Sequence, residues 1–187
     1  MTPEPAVFPK AYWSTWDSDV EFIPGDELPL ESTGRLFAVI VFAFFGDQIL
    51  MADISGRGVC VPSGRLIPGE TSDEAVVRET YEETGAHLDP AKRKLIGCYR
   101  MVRRKPVSTD VYETKSIFYS ACYVTEVTKI DPIPAGSEST AFYLMAPEDV
   151  QDHYFMWDDL LSAAFTFAWS ERNRLFPPGE SIRSLDS

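Results

Sequence analysis

Residues 64–86 read GRLIPGETSDEAVVRETYEETGA, and this stretch predicts a turn, a helix and a sharp stop in direct succession. A Pro-Gly turn precedes Thr71 and Glu74, whose spacing is that of a capping box at a helix N-terminus. Gly85 stands where a residue in the left-handed conformation would end the helix. We therefore expect a helix over residues 72–84, with a defined loop on each side.

Acidic residues concentrate on one side of this helix. Residues three and four apart share a helix face, so Glu79 lies beside both Glu82 and Glu83. Like charges at that spacing repel each other, and a hard divalent cation that prefers carboxylate oxygens would offset the repulsion. The alternative is an ordinary solvated acidic face. The capped helix ends favour a metal site, as does Arg78, which can hold a carboxylate by charge-assisted hydrogen bonds.

The spacing of these residues resembles the Nudix box, G-x5-E-x7-R-E-U-x-E-E-x-G-U, where U is a bulky apolar residue. All its fixed polar and glycine positions are occupied here, by Gly64, Glu70, Arg78, Glu79, Glu82, Glu83 and Gly85. The two U positions depart from the pattern, because Thr80 is only partly apolar and Ala86 is small. These departures concern packing beneath the helix rather than the charged groups.

The resemblance implies an α/β fold, a Nudix-type α/β/α sandwich with a mixed β-sheet. It also implies a metal-dependent hydrolase that cleaves the diphosphate bond of a nucleoside diphosphate linked to another moiety, with Mg²⁺ or Mn²⁺ as cofactor. Carried over to this chain, the metal ligands are Glu79, Glu82 and Glu83, assisted by the carbonyl of Gly64. Glu79 is alternatively the base that deprotonates water, and Arg78 orients the glutamates.

Some family members place the catalytic base outside the box, on the loop before the last strand. Glu138 lies in that region of this chain, and Glu113, before another strand, is a second candidate. An exposed loop glutamate without a catalytic role is an equal alternative for each of them.

Basic residues cluster between Lys92 and Lys105, a segment that contains no acid. Arg100, Arg103 and Arg104 follow the box in a strand-like run, and they are our candidates for contact with substrate phosphates. Strand alternation places Arg100 and Arg104 on one face and Arg103 on the other, and the sequence leaves open which face meets the site.

Charge and composition argue against several classes of binding partner and location. The net charge of −12 argues against general nucleic-acid binding, so we expect a small nucleotide-type substrate. No apolar run is long enough to span a membrane, and the N-terminus lacks the pattern of a secretion signal. The three cysteines lie in apolar runs, which is typical of free thiols in the cytoplasm. A homodimer is a further expectation from the family.

We divide the chain into an N-terminal arm with one short strand (1–33), a Nudix hydrolase domain (34–176) and a flexible C-terminal tail (177–187). Apolar and β-branched runs predict strands over 35–45, 48–54, 57–62, 95–102, 115–125 and 141–145. An apolar stripe from Trp157 to Ala168 predicts a core helix packed on the sheet. For Trp13 and Trp16 in the arm, packing at the sheet edge or a dimer contact is favoured over stacking on a substrate base.

Two other functions remain open at this stage. One is a Nudix-fold isomerase of the isopentenyl-diphosphate type, which would need a catalytic cysteine. Cys60 lies only four residues before the box, and this closeness disfavours it for that role. The other is a non-catalytic nucleotide-sensing Nudix domain, which the complete set of box glutamates disfavours. The motifs that separate Nudix subfamilies were not found, so the sequence does not select a substrate.

Overall fold

The computed structural model describes residues 7–31, 34–105 and 116–177. Glu113 with its polar loop, and the predicted tail beyond residue 177, lie outside these ranges. The strands are β1 (Ala11–Trp13), β2 (Ser18–Pro24), β3 (Gly34–Phe45), β4 (Gln48–Ile54), β5 (Gly58–Cys60), β6 (Ser63–Arg65), β7 (Ala86–Arg103), β8 (Ile117–Ile130) and β9 (Ser139–Met145). The α-helices are α1 (Ser72–Thr84), α2 (Val150–His153) and α3 (Asp159–Leu175), and short 3₁₀ turns cover Ser14–Trp16 and Pro147–Asp149.

The strands form one mixed sheet. Neighbouring strands run in the order β1-β2-β7-β8-β3-β4-β5, with β6 also paired to β3 and β9 to β4. The central pair β3–β8 is parallel, and the other described strand pairs are antiparallel. Both central strands are apolar along most of their length, because helices cover the two faces of the sheet and leave no solvated side.

One helix covers each face of the sheet. Ala75 and Val76 of α1 are fully buried in the hydrophobic cluster on one face. Leu161 and Phe165 of α3 pack into the larger cluster on the other face, which confirms the predicted core helix. The result is the α/β/α sandwich that the sequence predicted. None of the helices in the described ranges is long and apolar enough to cross a membrane.

The sheet forks where the 64–86 segment begins. Strand β4 stays beside β3 for only two residue pairs at the hairpin, and then pairs with β5 and β9 instead. Strand β6 takes the edge of β3 that β4 has left, with Ser63 opposite Ile40. Helix α1 contacts both branches of this fork, through β6 and through β9. The fork therefore leaves an opening beneath the acidic face of α1.

The prediction of a single strand in the N-terminal segment is wrong. Two strands form there, and β2 pairs with β7 over its whole length, from Ser18 opposite Arg103 to Pro24 opposite Gly97. Val20 and Phe22 alternate with acidic residues, which is the pattern of a strand with one buried face, but the segment has no continuous apolar run of the kind that predicted the other strands. Strand β7 also begins at residue 86 rather than 95, since its first half is polar and carries no apolar run.

Candidate active site

Helix α1 begins and ends where the sequence predicted, because both ends are capped. The Thr71 hydroxyl accepts the backbone N–H of Glu74 at 3.2 Å, and the Glu74 carboxylate accepts that of Thr71 at 2.8 Å. Gly85 ends the helix with φ of 72°, and a Cβ atom at this position would collide with the backbone carbonyl of Asp131. The acidic residues of α1 are thus carried by a helix that is fixed at both ends.

Arg78 joins the acidic residues into one network. Its Nε and Nη2 bind the two carboxylate oxygens of Glu70 at 2.6 and 2.8 Å. Its Nη1 donates to Glu79 at 2.7 Å and to Glu82 at 3.1 Å, and Nη2 also donates to the carbonyl of Arg65 at 3.0 Å. The guanidinium holds the pKa of Glu70 below its usual range. This geometry is what a residue that orients glutamates requires, and it shows Glu70 bracing Arg78 from behind.

Gly64 has a packing role that its backbone conformation does not reveal. A Cβ atom placed on Gly64 would overlap the carboxylate of Glu79, so any side chain here would displace that group. Its φ does not fall in the left-handed region, so conformational freedom is not the reason for glycine. Glycine is needed because the backbone of β6 and the Glu79 carboxylate approach each other closely.

The carboxyl groups of Glu79 and Glu83 are nearly buried, and each residue is only 9% exposed. Burial raises the pKa of Glu83 to about 8, against the opposing effect of the Ser63 backbone N–H, which donates to it at 3.0 Å. Burial also raises the pKa of Glu79, opposed by its hydrogen bond from Arg78. An ordinary solvated acidic face would keep its carboxylates in water with unshifted pKa values. For these two groups, burial outweighs the nearby positive charges of Arg78 and Arg57.

The fork of the sheet and the end of α1 enclose a cleft of about 950 Å³, which we call the acidic cleft. Its walls combine β6, the outer face of α1 and the loop at 134–138. Glu138 lines it from that loop and acts electrostatically on Glu83. The predicted site residues that line the acidic cleft are Gly64, Glu79, Glu82, Glu83 and Glu138.

The donor set of the acidic cleft fits a hard divalent cation. Four carboxylates and the backbone of Gly64 border the same space, and such oxygens are the preferred ligands of Mg²⁺ and Mn²⁺. In the described part of the chain, no three acidic, histidine or cysteine side chains converge closely enough to coordinate one ion. The Arg78 contacts explain this spacing, because they draw Glu79 and Glu82 towards the guanidinium. Coordination therefore requires side-chain rotation, which the 52% exposed Glu82 side chain has room for.

The arginines predicted to contact phosphates lie elsewhere. None of Arg100, Arg103 and Arg104 is among the residues that line the acidic cleft. The partners observed instead are Glu21 and Glu31 for Arg100, Asp19 for Arg104, and the ring of Phe118 for Arg103. Strand pairing accounts for two of these contacts, because β2 runs beside β7 and brings Glu21 opposite Arg100 and Asp19 near Arg104.

Two other arginines border the acidic cleft, and sequence reasoning missed both. Arg57 follows β4 at the tip of the β4–β5 turn, and Arg65 stacks over the ring of Phe37 with 4.9 Å to the ring centroid. Both are exposed and line the cleft. Their closeness to the box in sequence was a usable signal, since β6 carries Arg65 directly after Gly64.

Comparison with known proteins agrees with this geometry. Residues 34–164 match the model of the NUDIX domain, which is more than half of the chain. The chain belongs to the Nudix family. The match includes both branches of the forked sheet and the whole of α1, and it excludes β1 and β2.

Individual Nudix relatives are more distant. The chain is 35% identical over 75 residues to the putative 8-oxo-dGTP diphosphatase YtkD of Bacillus subtilis, covering 40% of this chain and 46% of that protein. It is 53% identical over 36 residues to Nudix hydrolase 3 of Caenorhabditis elegans, covering 19% of this chain and 15% of that protein. The aligned segments thus span less than half the length of either relative.

Solved structures confirm the Nudix fold. The crystal structure of the Bacillus subtilis pyrophosphohydrolase BsRppH superposes with a TM-score of 0.68 and 20% identity, covering 89% of this chain and 99% of that one. A NUDIX hydrolase from Nitrosomonas europaea superposes with a TM-score of 0.53 and 19% identity, covering 73% of this chain and 90% of that one. At this identity the likeness establishes the fold alone.

Proposed function

We propose that this Nudix protein is a metal-dependent hydrolase that cleaves the diphosphate bond of a nucleoside diphosphate linked to another moiety. The observation that carries the proposal is the acidic cleft, where the buried carboxyl groups of Glu79 and Glu83 share one space with Glu82 and Glu138. Keeping such groups together without a cation costs free energy, so their arrangement favours a cation-dependent reaction.

Each residue has a distinct role in this proposal. Glu79, Glu82, Glu83 and the Gly64 carbonyl would hold Mg²⁺ or Mn²⁺, which supplies charge neutralisation of the diphosphate and acidification of a water molecule. Arg78 keeps Glu79 and Glu82 on the cleft side of α1 through its anchor on Glu70. Arg57 and Arg65 bind the phosphate oxygens that extend beyond the carboxylates.

Two carboxylates are placed to take the proton from the attacking water. Burial raises the pKa of Glu79 and so increases its basicity, but Arg78 occupies one of its oxygens. Glu138 is exposed, lies on a loop across the acidic cleft and has no such partner among the described contacts. The two are separated by comparing the pH dependence of kcat in Glu79→Gln and Glu138→Gln.

The isomerase alternative gains no support from Cys60. Its thiol is buried, and burial raises its pKa to about 11, so it is protonated at neutral pH and a poor nucleophile or base. The names of the relatives also point to hydrolysis, since they are an 8-oxo-dGTP diphosphatase and a pyrophosphohydrolase. Nucleoside triphosphates, including an oxidised purine, are therefore the first substrates to try.

The experiment is a phosphate-release screen with Mg²⁺ or Mn²⁺ over nucleoside triphosphates, nucleotide sugars, dinucleotides and coenzyme A. We expect Glu82→Gln and Glu83→Gln to lose at least a hundredfold in kcat on any substrate found, because each removes a charged metal ligand. Glu171→Gln is the matched control, since Glu171 pairs with Arg174 on α3, far from the acidic cleft. Full activity in both cleft variants would refute the metal assignment.

A further inference from the structure

One wall of the acidic cleft is the loop that leads from β8 to β9, residues 131–138, and we call it the cleft loop. Residues 134–138 of this loop line the acidic cleft and include Glu138. Within the described part of the chain, residues 132–136 take part in one hydrogen bond, which the Pro134 carbonyl accepts from the Ser137 backbone at 3.3 Å inside the loop. Hydrogen bonds to the rest of the protein therefore hold the cleft loop at its two ends.

The end of the cleft loop nearest β9 is fixed to strand β4 and the turn that follows it. The backbone N–H of Ser55 donates to the Glu138 carbonyl at 2.9 Å. The Ser139 hydroxyl donates to the Asp53 carbonyl at 3.3 Å. Neither bond reaches α1, which carries the other carboxylates of the acidic cleft. The position of the loop relative to α1 is therefore set at its other end.

Asp131 fixes that other end of the cleft loop to α1. Its backbone N–H donates at 2.9 Å to the carbonyl of Gly85, the residue that ends the helix. Its own carbonyl lies so close to Gly85 that this position has no room for a side chain. Gly85 follows Glu83 by two residues, so the loop meets the helix beside its buried carboxyl groups.

The Asp131 carboxylate is held by side chains of both strands that precede the cleft loop. Nζ of Lys129 lies 2.7 Å from Oδ1, and Nε2 of His87 lies 2.8 Å from Oδ2. Lys129 and His87 face each other across β8 and β7, and together they hold the pKa of Asp131 below its ordinary value. The His87 ring also packs against Tyr81 of α1, with 5.2 Å between ring centroids. One carboxylate thus connects the sheet, α1 and the cleft loop.

The sequence of the cleft loop carries the position of Asp131 towards Glu138. Pro132 and Pro134 each fix their own φ angle, so two of the three residues after Asp131 have little freedom to bend. Gly136 then turns the chain with φ of 88°. A change of direction at Asp131 is therefore passed along the loop rather than absorbed within it.

We propose that Asp131 is a positioning residue, which sets the distance between Glu138 on the cleft loop and the carboxylates of α1. The inference rests on the proposed function, and it assigns to Glu138 the removal of a proton from the attacking water. Asp131 does not itself line the acidic cleft, so it acts through the loop. A displacement of about 1 Å in a catalytic group can lower the rate about a hundredfold, which is why a distant anchor affects turnover.

Hydrogen exchange followed by mass spectrometry tests the anchor in the full-length protein, without metal or substrate. Asp131→Ala should raise the exchange rate of the cleft-loop amides about twofold to fivefold, the range for the loss of exposed ion pairs. Asp131→Asn should raise it less, because the amide keeps one acceptor oxygen. Asp89→Ala is the matched control, since the Asp89 carboxylate of β7 accepts the backbone N–H of Ala91 in its own turn at 2.9 Å. Unchanged exchange in Asp131→Ala would overturn the anchor.

A double-mutant cycle tests whether Asp131 acts through Glu138. With Glu138 present, Asp131→Ala should lower kcat about tenfold and leave the Mg²⁺ concentration for half-maximal activity within about twofold, because the glutamates of α1 keep their places. In the Glu138→Gln background the same change should lower kcat less than about twofold, since the group to be positioned is gone.

Three kinetic outcomes would overturn the positioning role. They are equal losses of kcat in the two backgrounds, full kcat in Glu138→Gln, and a raised Mg²⁺ requirement in Asp131→Ala, which would make Asp131 a support of α1 instead. Failure of the proposed function is distinguishable from these. If the substrate screen finds no hydrolysis while the cleft loop of Asp131→Ala exchanges faster, the proposed function is refuted and the anchor stands.

Discussion

The acidic cleft adjoins a smaller cavity on the α3 side of the sheet, and the chain builds the two in opposite ways. This cavity has a volume of about 70 Å³, and we call it the aromatic cavity because it is lined by Trp13, Trp16, Phe42, Tyr99, Tyr154, Phe155 and Phe165. The cleft takes three of its carboxylates from one helix of thirteen residues, where a local spacing places them. The cavity gathers side chains from the N-terminal segment, four other strands of the sheet, α3 and the segment leading into it. A short motif thus supplies most of the charged groups of the cleft, whereas the apolar surface beside it is assembled from distant parts of the chain.

The two regions also differ in their electrostatics. In the acidic cleft, burial works against negative charge and raises the pKa of Glu83, so the region calls for a cation. In the aromatic cavity, burial leaves one uncharged hydroxyl, that of Tyr99, without a hydrogen-bond partner among the described residues. Arg57 stands at the border, because it lines both regions.

Gly64→Ala should damage the cleft most while sparing the cavity. The added methyl group overlaps the Glu79 carboxylate, and a displacement of about 1 Å in a catalytic group can lower kcat about a hundredfold. Nucleotide binding to Arg57 and Arg65 in EDTA should stay within about twofold of wild type, because no charged group is removed. Gly46→Ala is the control: it introduces strain at φ of 61° in an open turn and should lower stability without touching kcat. Equal kcat in Gly64→Ala and wild type would show that the contact is not functional.

Ionisation of Glu83 should lower the free energy of unfolding as pH rises when divalent metal is removed by a chelator. Its pKa is raised from an ordinary value near 4.5 to about 8, so its stabilising contribution is complete below 4.5 and is lost as pH rises through 8. Relative to Glu83→Gln, which keeps the shape and cannot ionise, the wild type should lose up to about 5 kcal/mol across that window. Thermal melts from pH 5 to 9 would show this as a melting-temperature difference of up to roughly 10–20 °C. A difference that does not change with pH would contradict the buried carboxyl group, and Mg²⁺ should restore the wild type most at the alkaline end.

Arg57→Ala should have the smallest of these effects and define the border between the regions. We expect about tenfold weaker binding of a nucleoside monophosphate, because one charge-assisted hydrogen bond is lost, and unchanged binding of the free nucleoside. Arg104→Ala is the control, because its guanidinium pairs with Asp19 outside both regions. If Arg104→Ala weakens the nucleotide as much as Arg57→Ala does, the phosphate role belongs to the basic strand that the sequence first suggested.

Features built from neighbouring residues could be predicted from the sequence, whereas features built from distant segments could not. The helix at 72–84, its caps and the α/β/α sandwich were predicted correctly, because capping and apolar periodicity act over a few residues. The acidic residues were placed on a common face for the same reason. Local patterns carry no information about pairing between β2 and β7, so Arg100 was predicted to be available for phosphate contact although Glu21 of β2 lies opposite it.

The tryptophans of the N-terminal segment also show that local sequence patterns do not predict contacts between distant parts of the chain. Packing at a sheet edge was favoured for Trp13 and Trp16, and the structure does place them beside β2. Their second neighbour is the segment before α3, which supplies Asp158 from 145 residues further along the chain. No spacing in the sequence predicts the contact between Trp13 and Asp158, because it depends on the fold.

The hydrogen bonds of Arg78 bear on how the carboxylates of α1 would exchange a bound cation. Its guanidinium is tied to Glu70 by two bonds and reaches Glu79 and Glu82 with its remaining nitrogen, so the helix carries its own counterion. Under the proposed function, a cation would have to compete with Arg78 for the oxygens of Glu79 and Glu82. The net affinity for the cation would then be the difference between two attractions. Arg78 would take up the same oxygens again in the cation-free protein, so the helix would keep its counterion in both states.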